Sequence, residues 1–403
     1  MKNYLHVFLI MMFCSIAASS QNNVVSVNYK TVTAADVKVG AQRTTIYFPL
    51  LKGKNIAVVA NQTSMIGKAH LVDSLLKSGF KVKKVFVPEH GFRGEADAGQ
   101  EIANTIDAKT GLPIISLYNK DFKPKPADLK GIDVVLFDLQ DVGVRCYTYI
   151  STLHYVMEAC AENKVQCIVL DRPNPNGFFV DGPVLEKEFS SFVGMHPVPF
   201  VHGMTIAEFA CMINEEGWLK KGIKCDLKYV TVENYNHTYY YELPIKPSPN
   251  LPNMNAVYLY PSLAMFEGTV ISVGRGTDLP FQVIGHPFLK SGTYTFTPKS
   301  MPGATAPLYE GKECKGYDLD NFAEVYVKNI RQIYLFWLMG CYQNMDDKAN
   351  YFTPMFDKIA GTAKLRQQII SGVSEDDIRK SWKPDLDKFK LIRKKYLLYP
   401  DFE

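Results

Sequence analysis

The sequence has no basic run and no basic helix, and Lys plus Arg exceed Asp plus Glu by only four in 403 residues. That balance argues against a nucleic-acid partner. No Gly-x-Gly-x-x-Gly turn and no Walker sequence occur, so a dinucleotide or nucleoside triphosphate would lack its usual phosphate cradle. A Gly-x-Ser-x-Gly elbow is also missing, which argues against a serine nucleophile. The eight cysteines never stand at Cys-x-x-Cys spacing, so a zinc site built on thiolates is not expected. Cys14 falls in the leading segment, and the odd seven that remain read as buried thiols rather than as a disulfide framework. After the leading segment no apolar stretch is long enough to cross a membrane.

What is present is a globular composition, 47% hydrophobic and 12% aromatic, in a chain long enough for two domains. Residues 1–20 carry Lys2, an apolar run from Leu5 to Cys14, and small residues Ala18 and Ser20 ahead of Gln21. This is the pattern of a cleaved secretory signal, and the run is shorter than the roughly 20 apolar residues of a spanning helix. Cys14 follows Phe13, a poor lipoprotein processing site, so no lipid anchor is expected. The expected location is periplasmic or secreted.

The mature chain then alternates short apolar runs with helical patterns. Asn55–Ala60, Lys83–Val87, Pro113–Leu117, Asp133–Leu139 and Gln166–Leu170 read as buried strands, with helical spacing in Leu71–Leu76 and Tyr149–Asn163. Thr205 caps a helix to Glu216, with Glu208 closing a capping box, and Asp226–Val232 reads as a further strand. Nearly continuous apolar strands alternating with helices predict an α/β fold, a parallel sheet covered on both faces. The prolines of Leu243–Pro252 mark a linker or domain edge, and residues 21–245 and 246–403 are the expected domains after the signal. Beyond it Val270–Val273 and Phe281–Ile284 flank the loop Gly274–Pro280. Phe322–Tyr342 is apolar at helical spacing with aromatics expected in the core, and the rest reads as short amphipathic helices.

In parallel sheets ligands bind beyond the carboxyl ends of the strands. Four strands here end in polar residues: Asn61 and Gln62, Glu89 and His90, Gln140 and Asp141, Asp171 and Arg172. One crevice ringed by carboxylates, amides and guanidinium groups is the expectation. The richest of these ends is Val85–Gly99, where Pro88, Gly91 and Gly94 stop the strand and present Glu89, His90, Arg93 and Glu95. Several carboxylates beside a cleft suit glycoside hydrolysis, which needs an acid to protonate the leaving oxygen. Glu89 is the first candidate, and Glu95, Asp141 and Asp171 compete for a second role. A metal site on His90, Asp138, Asp141 and Asp171 is the rival arrangement.

The motifs PEHGFRG (Pro88 to Gly94), DLQDVGVRCYTY (Asp138 to Tyr149), LDRPNPNG (Leu170 to Gly177), DGPVL (Asp181 to Leu185), HGMTIAE (His202 to Glu208), PSPNLP (Pro247 to Pro252) and FEGTVISVGRGTDLPF (Phe266 to Phe281) follow in this order. Together they resemble the exo-β-N-acetylmuramidases, glycoside hydrolase family 171, across nearly the whole mature chain. The resemblance implies a Rossmann-like domain with a smaller α+β C-terminal domain closing the cleft, and no cofactor. It also implies release of N-acetylmuramic acid from the non-reducing end of peptidoglycan-derived glycans, with Glu89 catalytic. Glu89 is then expected to act as acid and afterwards as base, with the substrate's own 2-acetamido group as nucleophile and Asp141 orienting or stabilising that amide; the alternative makes Asp141 or Asp171 the nucleophile. Substrate contacts are expected from Asn61, Gln62, His90, Arg93, Gln140, Arg145, Tyr147, Asp171, Arg172, Asn174, Glu267 and Arg275. An arginine should read the lactyl carboxylate of muramic acid, with Arg145 first, then Arg172, Arg275 and Arg93. Two departures from the family pattern stand out: Cys146 where Phe is commoner, and Gly285-His286-Pro287 where Ala-Pro is commoner, the second expected to alter a pocket wall. The partner is a muramic acid glycan, with no nucleic acid and no stable membrane partner. An exported muramyl-sugar binding protein without catalysis is the alternative.

Overall fold

The computed structural model describes residues 28–92 and 104–403, so the leading segment, Arg93 and Glu95 lie outside the described residues. Seven strands form the principal sheet: β1 (Asn55–Ala60), β2 (Lys81–Val87), β3 (Thr105–Ile106), β4 (Pro113–Ser116), β5 (Val134–Asp138), β6 (Gln166–Leu170) and β7 (Leu227–Val230), in the order β7-β6-β5-β1-β2-β4-β3. All neighbours are parallel except β3, which runs antiparallel to β4. Both faces are covered, which is why the strands read as unbroken apolar runs. Ile56, Val58, Val134 and Leu136 enter one core, while Ala57, Val59, Val135 and Phe137 enter the other. The chain builds outward from β1 to β2 and β4, then returns to place β5, β6 and β7 on the other side. The strand order therefore reverses between β1 and β5.

Helix α1 (Leu71–Lys77) follows β1, and α2 (Tyr149–Asn163) follows β5, ending at Lys164 in the left-handed region. Helix α3 (Ile206–Glu215) starts as the sequence predicts: Glu208 Oε2 accepts from Thr205 N–H at 2.8 Å, and Thr205 Oγ1 accepts from Glu208 N–H. Residues 242–253 carry neither helix nor strand, in keeping with their prolines. After them come α4 (Met254–Leu263) and a smaller C-terminal domain with the antiparallel sheet β8 (Val283–His286), β9 (Tyr294–Phe296) and β10 (Cys314–Asp318), in the order β8-β10-β9. A single bridge between Ser272 and Gly285 closes the loop that carries Arg275.

The helical stretch expected over Phe322–Tyr342 is interrupted. A π turn spans Ala323–Val327, Arg331 takes a φ of 53°, and the helix resumes only at α5 (Phe336–Asn344). Side chains recruit the backbone at the break: Asp181 accepts from Ile333 N–H at 2.7 Å, and Ser262 Oγ accepts from Tyr334 N–H at 3.0 Å. Tyr326 and Phe336 lie on the surface rather than in the core. The carboxy-terminal stretch, expected as short helices, contains the 19-residue α7 (Glu375–Arg393). Past it the chain returns to the sheet domain, where Arg393 donates to Gly203 O and Tyr399 to Asp171.

Arg145 joins the two halves. The side chain is fully buried and donates to Pro183 O, Val198 O, Ile359 O and Ala360 O at 2.6–3.1 Å. The last two carbonyls end the short helix α6 (Phe356–Ala360), where the peptide dipoles favour a cation. Gly361 is required beside it, since its φ is 77° and a Cβ there would stand 2.4 Å from Arg145 Nη2. Arg145→Met should lower unfolding free energy by about 3 kcal/mol, because buried carbonyls lose their donors. Arg145→Lys should recover only part of this, lacking the fork. Denaturant titration measures both, and a loss below about 1 kcal/mol for Arg145→Met would refute the assignment.

Candidate active site

A cavity of about 270 Å³ opens where β2, β4 and the segment after β5 meet the C-terminal domain. Glu89 and His90 enter it from the end of β2, Tyr118 from the end of β4, and Cys146, Tyr147 and Thr148 from the turn before α2. The opposite wall is made by Ser248, Leu251 and Tyr260, by Glu267 and Arg275, and by Met355 and Ile359 around α6. His90 takes a φ of 71°, an uncommon conformation for a residue with a side chain, and it turns the backbone sharply just after Glu89.

Hydroxyls hold Glu89. Thr148 Oγ1 donates to Glu89 Oε2 at 2.9 Å, and the Tyr118 hydroxyl also bonds the carboxylate. Burial, then the charge of Glu89, pushes the Tyr118 hydroxyl well above its ordinary range, so it remains a donor. The cavity's second carboxylate, Glu267, is paired. Arg275 reaches its Oε1 with Nε at 3.1 Å and Nη2 at 2.7 Å, and the guanidinium lies 5.1 Å from the Phe281 ring centre. Nη1 of Arg275 makes no hydrogen bond among the described residues.

The single crevice expected from four strand ends is not what forms. Glu89, His90, Tyr147, Glu267 and Arg275 meet in the cavity, with the Tyr147 hydroxyl donating to Pro247 O at 3.0 Å. Arg145 does not reach it, because its guanidinium is spent on backbone carbonyls. Arg172 forks onto Asp138, Nε to Oδ1 at 2.6 Å and Nη2 to Oδ2 at 2.9 Å, and it lines a separate pocket with Gln140. Asp171 is sealed at the start of α3, accepting from Thr205 Oγ1, Ala207 N–H and the Tyr399 hydroxyl. Asn61 bonds the Tyr149 hydroxyl and Thr63, Asn174 bonds Met204 O, and Gln62 donates to Lys246 O and Pro247 O. All three serve the scaffold. Arg93 and Glu95 lie outside the described residues.

Asp141, expected beside the substrate amide, is enclosed behind the cavity wall. Its Oδ2 accepts from Gly143 N–H at 2.7 Å, while Oδ1 has no hydrogen-bond partner among the described residues. Gly143 has a φ of 79°, and a Cβ there would collide with Asn174 Oδ1 at 2.3 Å. His202 Nε2, also without a hydrogen bond among the described residues, lies 3.8 Å from Asp141 Oδ2. Burial pushes the Asp141 carboxyl up to about 7 and the His202 imidazole down to about 3. The alternative metal arrangement does not assemble either: among the described residues no group of three or more His, Cys, Asp or Glu could hold a metal ion. Of the two departures from the family pattern, Cys146 lines the cavity, with Sγ 3.8 Å from the Tyr260 hydroxyl, whereas His286 does not.

Residues 56–255 match the model of the exo-β-N-acetylmuramidase NamZ N-terminal domain, and residues 258–399 match that of the C-terminal domain. The chain belongs to the exo-β-N-acetylmuramidase family. It is a glycosidase by that membership. It is 39% identical to the peptidoglycan β-N-acetylmuramidase NamZ of Bacillus subtilis (strain 168), an alignment covering 99% of this chain and 100% of that one. A solved DUF1343 family protein from Bacteroides fragilis superposes with a TM-score of 0.84 at 48% identity, covering 91% of this chain and 99% of the other. A second from the same organism gives 0.75 at 28% identity, covering 90% and 99%. Within this exo-β-N-acetylmuramidase fold, Thr148 and Tyr118 are the residues the sequence did not single out. Their only signal is position, inside a matched motif for Thr148 and just past a strand end for Tyr118.

The raised Asp141 carboxyl gives a pH dependence with a definite sign. Between about pH 4, where the unfolded aspartate ionises, and about 7, the folded state holds the proton more tightly, so stability falls as pH rises. His202 acts oppositely, losing stability as pH falls through roughly 6.5 toward about 3. Asp141→Asn should remove only the first effect, making the decline between pH ~4 and ~7 in urea unfolding shallower, with the remainder coming from Asp171, which burial also pushes up to about 7. Identical pH slopes in the two proteins would count against it.

Proposed function

We propose that the protein removes N-acetylmuramic acid from the non-reducing end of peptidoglycan-derived glycans or muropeptide disaccharides, with Glu89 as the acid. The observation that carries this reading is a cavity holding one carboxylate on hydroxyl donors and a second on an arginine, in a chain of the muramidase family. Glu89 donates its proton to the glycosidic oxygen as the bond from C1 breaks. The substrate's own 2-acetamido oxygen closes on C1 from the other face. Water then attacks C1, giving its proton to Glu89 and returning the acetamido group. Among the described residues, substrate assistance is supported by the burial of Asp141 and Asp171, the two aspartates that could otherwise serve as nucleophile, neither of which lines the cavity. Glu267 faces the reacting sugar as a polariser of the amide.

The lactyl carboxylate falls to Arg275, the one arginine among the described residues that lines the cavity. Its Nη1 is available, and its pairing to a single oxygen of Glu267 leaves the fork able to swing to a second anion. The reading also includes export, supported by the leader-like pattern of residues 1–20.

With a muramyl disaccharide as substrate, Glu89→Gln should lower kcat by about 10²–10⁴-fold. Near-normal turnover would remove Glu89 from the acid role, and binding without turnover in the unaltered protein would favour a sugar-capturing protein instead. Arg275→Ala should weaken binding of muramic substrates by roughly 10–100-fold and spare the matching glucosaminide, as loss of a charge-assisted contact predicts. Equal losses for both sugars would show that Arg275 does not read the lactyl group.

A further inference from the structure

A second pocket, of about 290 Å³, sits at the point where the strand order reverses. Thr63 reaches it from beyond β1, Gln140 from beyond β5 and Arg172 from beyond β6. In open α/β sheets this crevice is where ligands bind, by the geometry of the two diverging crossovers. The Glu89 cavity lies off to one side, over β2 and β4, and leaves this position unclaimed.

Its polar groups have valence to spare. Arg172 is 6% exposed and commits Nε and Nη2 to Asp138, but its Nη1 has no hydrogen bond among the described residues and is not sealed from the pocket. Gln140 spends its amide nitrogen on Asp141 O and Pro173 O and keeps Oε1 open. Gln42 accepts from Val39 N–H through Oε1 and keeps its amide nitrogen. The hydroxyl of Tyr241, at the end of the short strand Tyr239–Tyr241, makes no hydrogen bond among the described residues. Two donors, one acceptor and one hydroxyl thus converge, backed by apolar Val39, Met65 and Ile245.

Charge decides the class of ligand. Arg172 is the pocket's one charged lining residue, and the forked Asp138 neutralises it. An anion would find no uncompensated cation here, and the turn after β1 reads Asn61-Gln62-Thr63 rather than a glycine-rich phosphate cradle. A neutral molecule bearing several hydroxyls fits instead, with an apolar wall for its C–H face, and the volume lies near the lower end of the roughly 300–1,000 Å³ range of small-molecule pockets. We infer that this crossover pocket is a second binding site, separate from the Glu89 cavity, for a neutral sugar of monosaccharide size.

The inference does not depend on which glycan the Glu89 cavity cleaves, and the test separates the two sites. N-Acetylglucosamine, glucose and inorganic phosphate are titrated calorimetrically into the intact protein and its variants. A neutral sugar should bind, and its heat should persist in Arg275→Ala, which disturbs only the Glu89 cavity. The paired change Gln42→Leu with Tyr241→Phe should weaken it by about tenfold or more, as the loss of two hydrogen bonds requires. Ile245→Trp, which fills the pocket, should abolish it, while hydrolysis without added sugar stays near the unaltered rate and the urea midpoint reports intact folding. The inference is overturned if no neutral sugar binds at about 50 mM, if binding survives Ile245→Trp, or if phosphate binds this pocket more tightly than the sugars.

Discussion

A guanidinium buried without a carboxylate holds this molecule's two halves in register. Arg145 has burial against it, which pulls its affinity for the proton down to about 10, yet four backbone carbonyls surround it and two belong to the end of α6. A cation in that setting is tolerable only while every carbonyl stays in place, so the contact couples the loop at Pro183, the segment at Val198 and α6 into one rigid unit. Because Met355 and Ile359 of that unit wall the Glu89 cavity, its shape is inherited from contacts of Arg145, which does not itself line it. Lysine offers too few fixed directions to serve four acceptors, and glycine at 361 is needed to let the guanidinium approach.

This arrangement also explains what the sequence could and could not disclose. Periodicity found β1, α2 and β6 to the residue and the start of α3 through its capping box, since each depends on local burial patterns and cap chemistry. The polar strand ends were equally visible, but an aspartate in a sequence does not say whether water or a tyrosine will meet it. Asp171 and Asp138 turned inward to a threonine and an arginine, while Glu89 turned outward to hydroxyls. Arg145 was misjudged for the same reason: its acceptors are carbonyls, which every residue carries and no composition records. The break at Arg331 likewise comes from Asp181 and Ser262, distant in the chain.

The carboxyl edge of the sheet is consequently divided in two. Strands β2 and β4 feed the Glu89 cavity and β1 and β6 the crossover pocket, while the segment after β5 serves both, with Gln140 in the crossover pocket and Cys146, Tyr147 and Thr148 in the Glu89 cavity. The irregular segment after Tyr241 is the partition. Pro244 and Ile245 face the crossover pocket, Ser248 and Leu251 face the Glu89 cavity, and Lys246 and Pro247 between them are pinned by Gln62 and Tyr147.

A partition fixed at both ends insulates one pocket from the other better than a loose loop would. Its prolines restrict the backbone, and the carbonyl of Pro247 is held from both sides, by Gln62 of the β1 turn, which also takes Lys246 O, and by Tyr147 of the turn before α2. Any displacement of Ile245 is therefore resisted at Pro247, one bond away from a residue whose ring lines the Glu89 cavity. The same geometry holds Tyr147 in place, so positional freedom in the Glu89 cavity rests with Arg275, which is tied to one carboxylate oxygen and one aromatic face rather than to the backbone. The cavity thus sets a rigid wall at Tyr147 against a charged side chain held only by another side chain at Arg275, the kind of pairing in which one group is fixed in place and another can adjust.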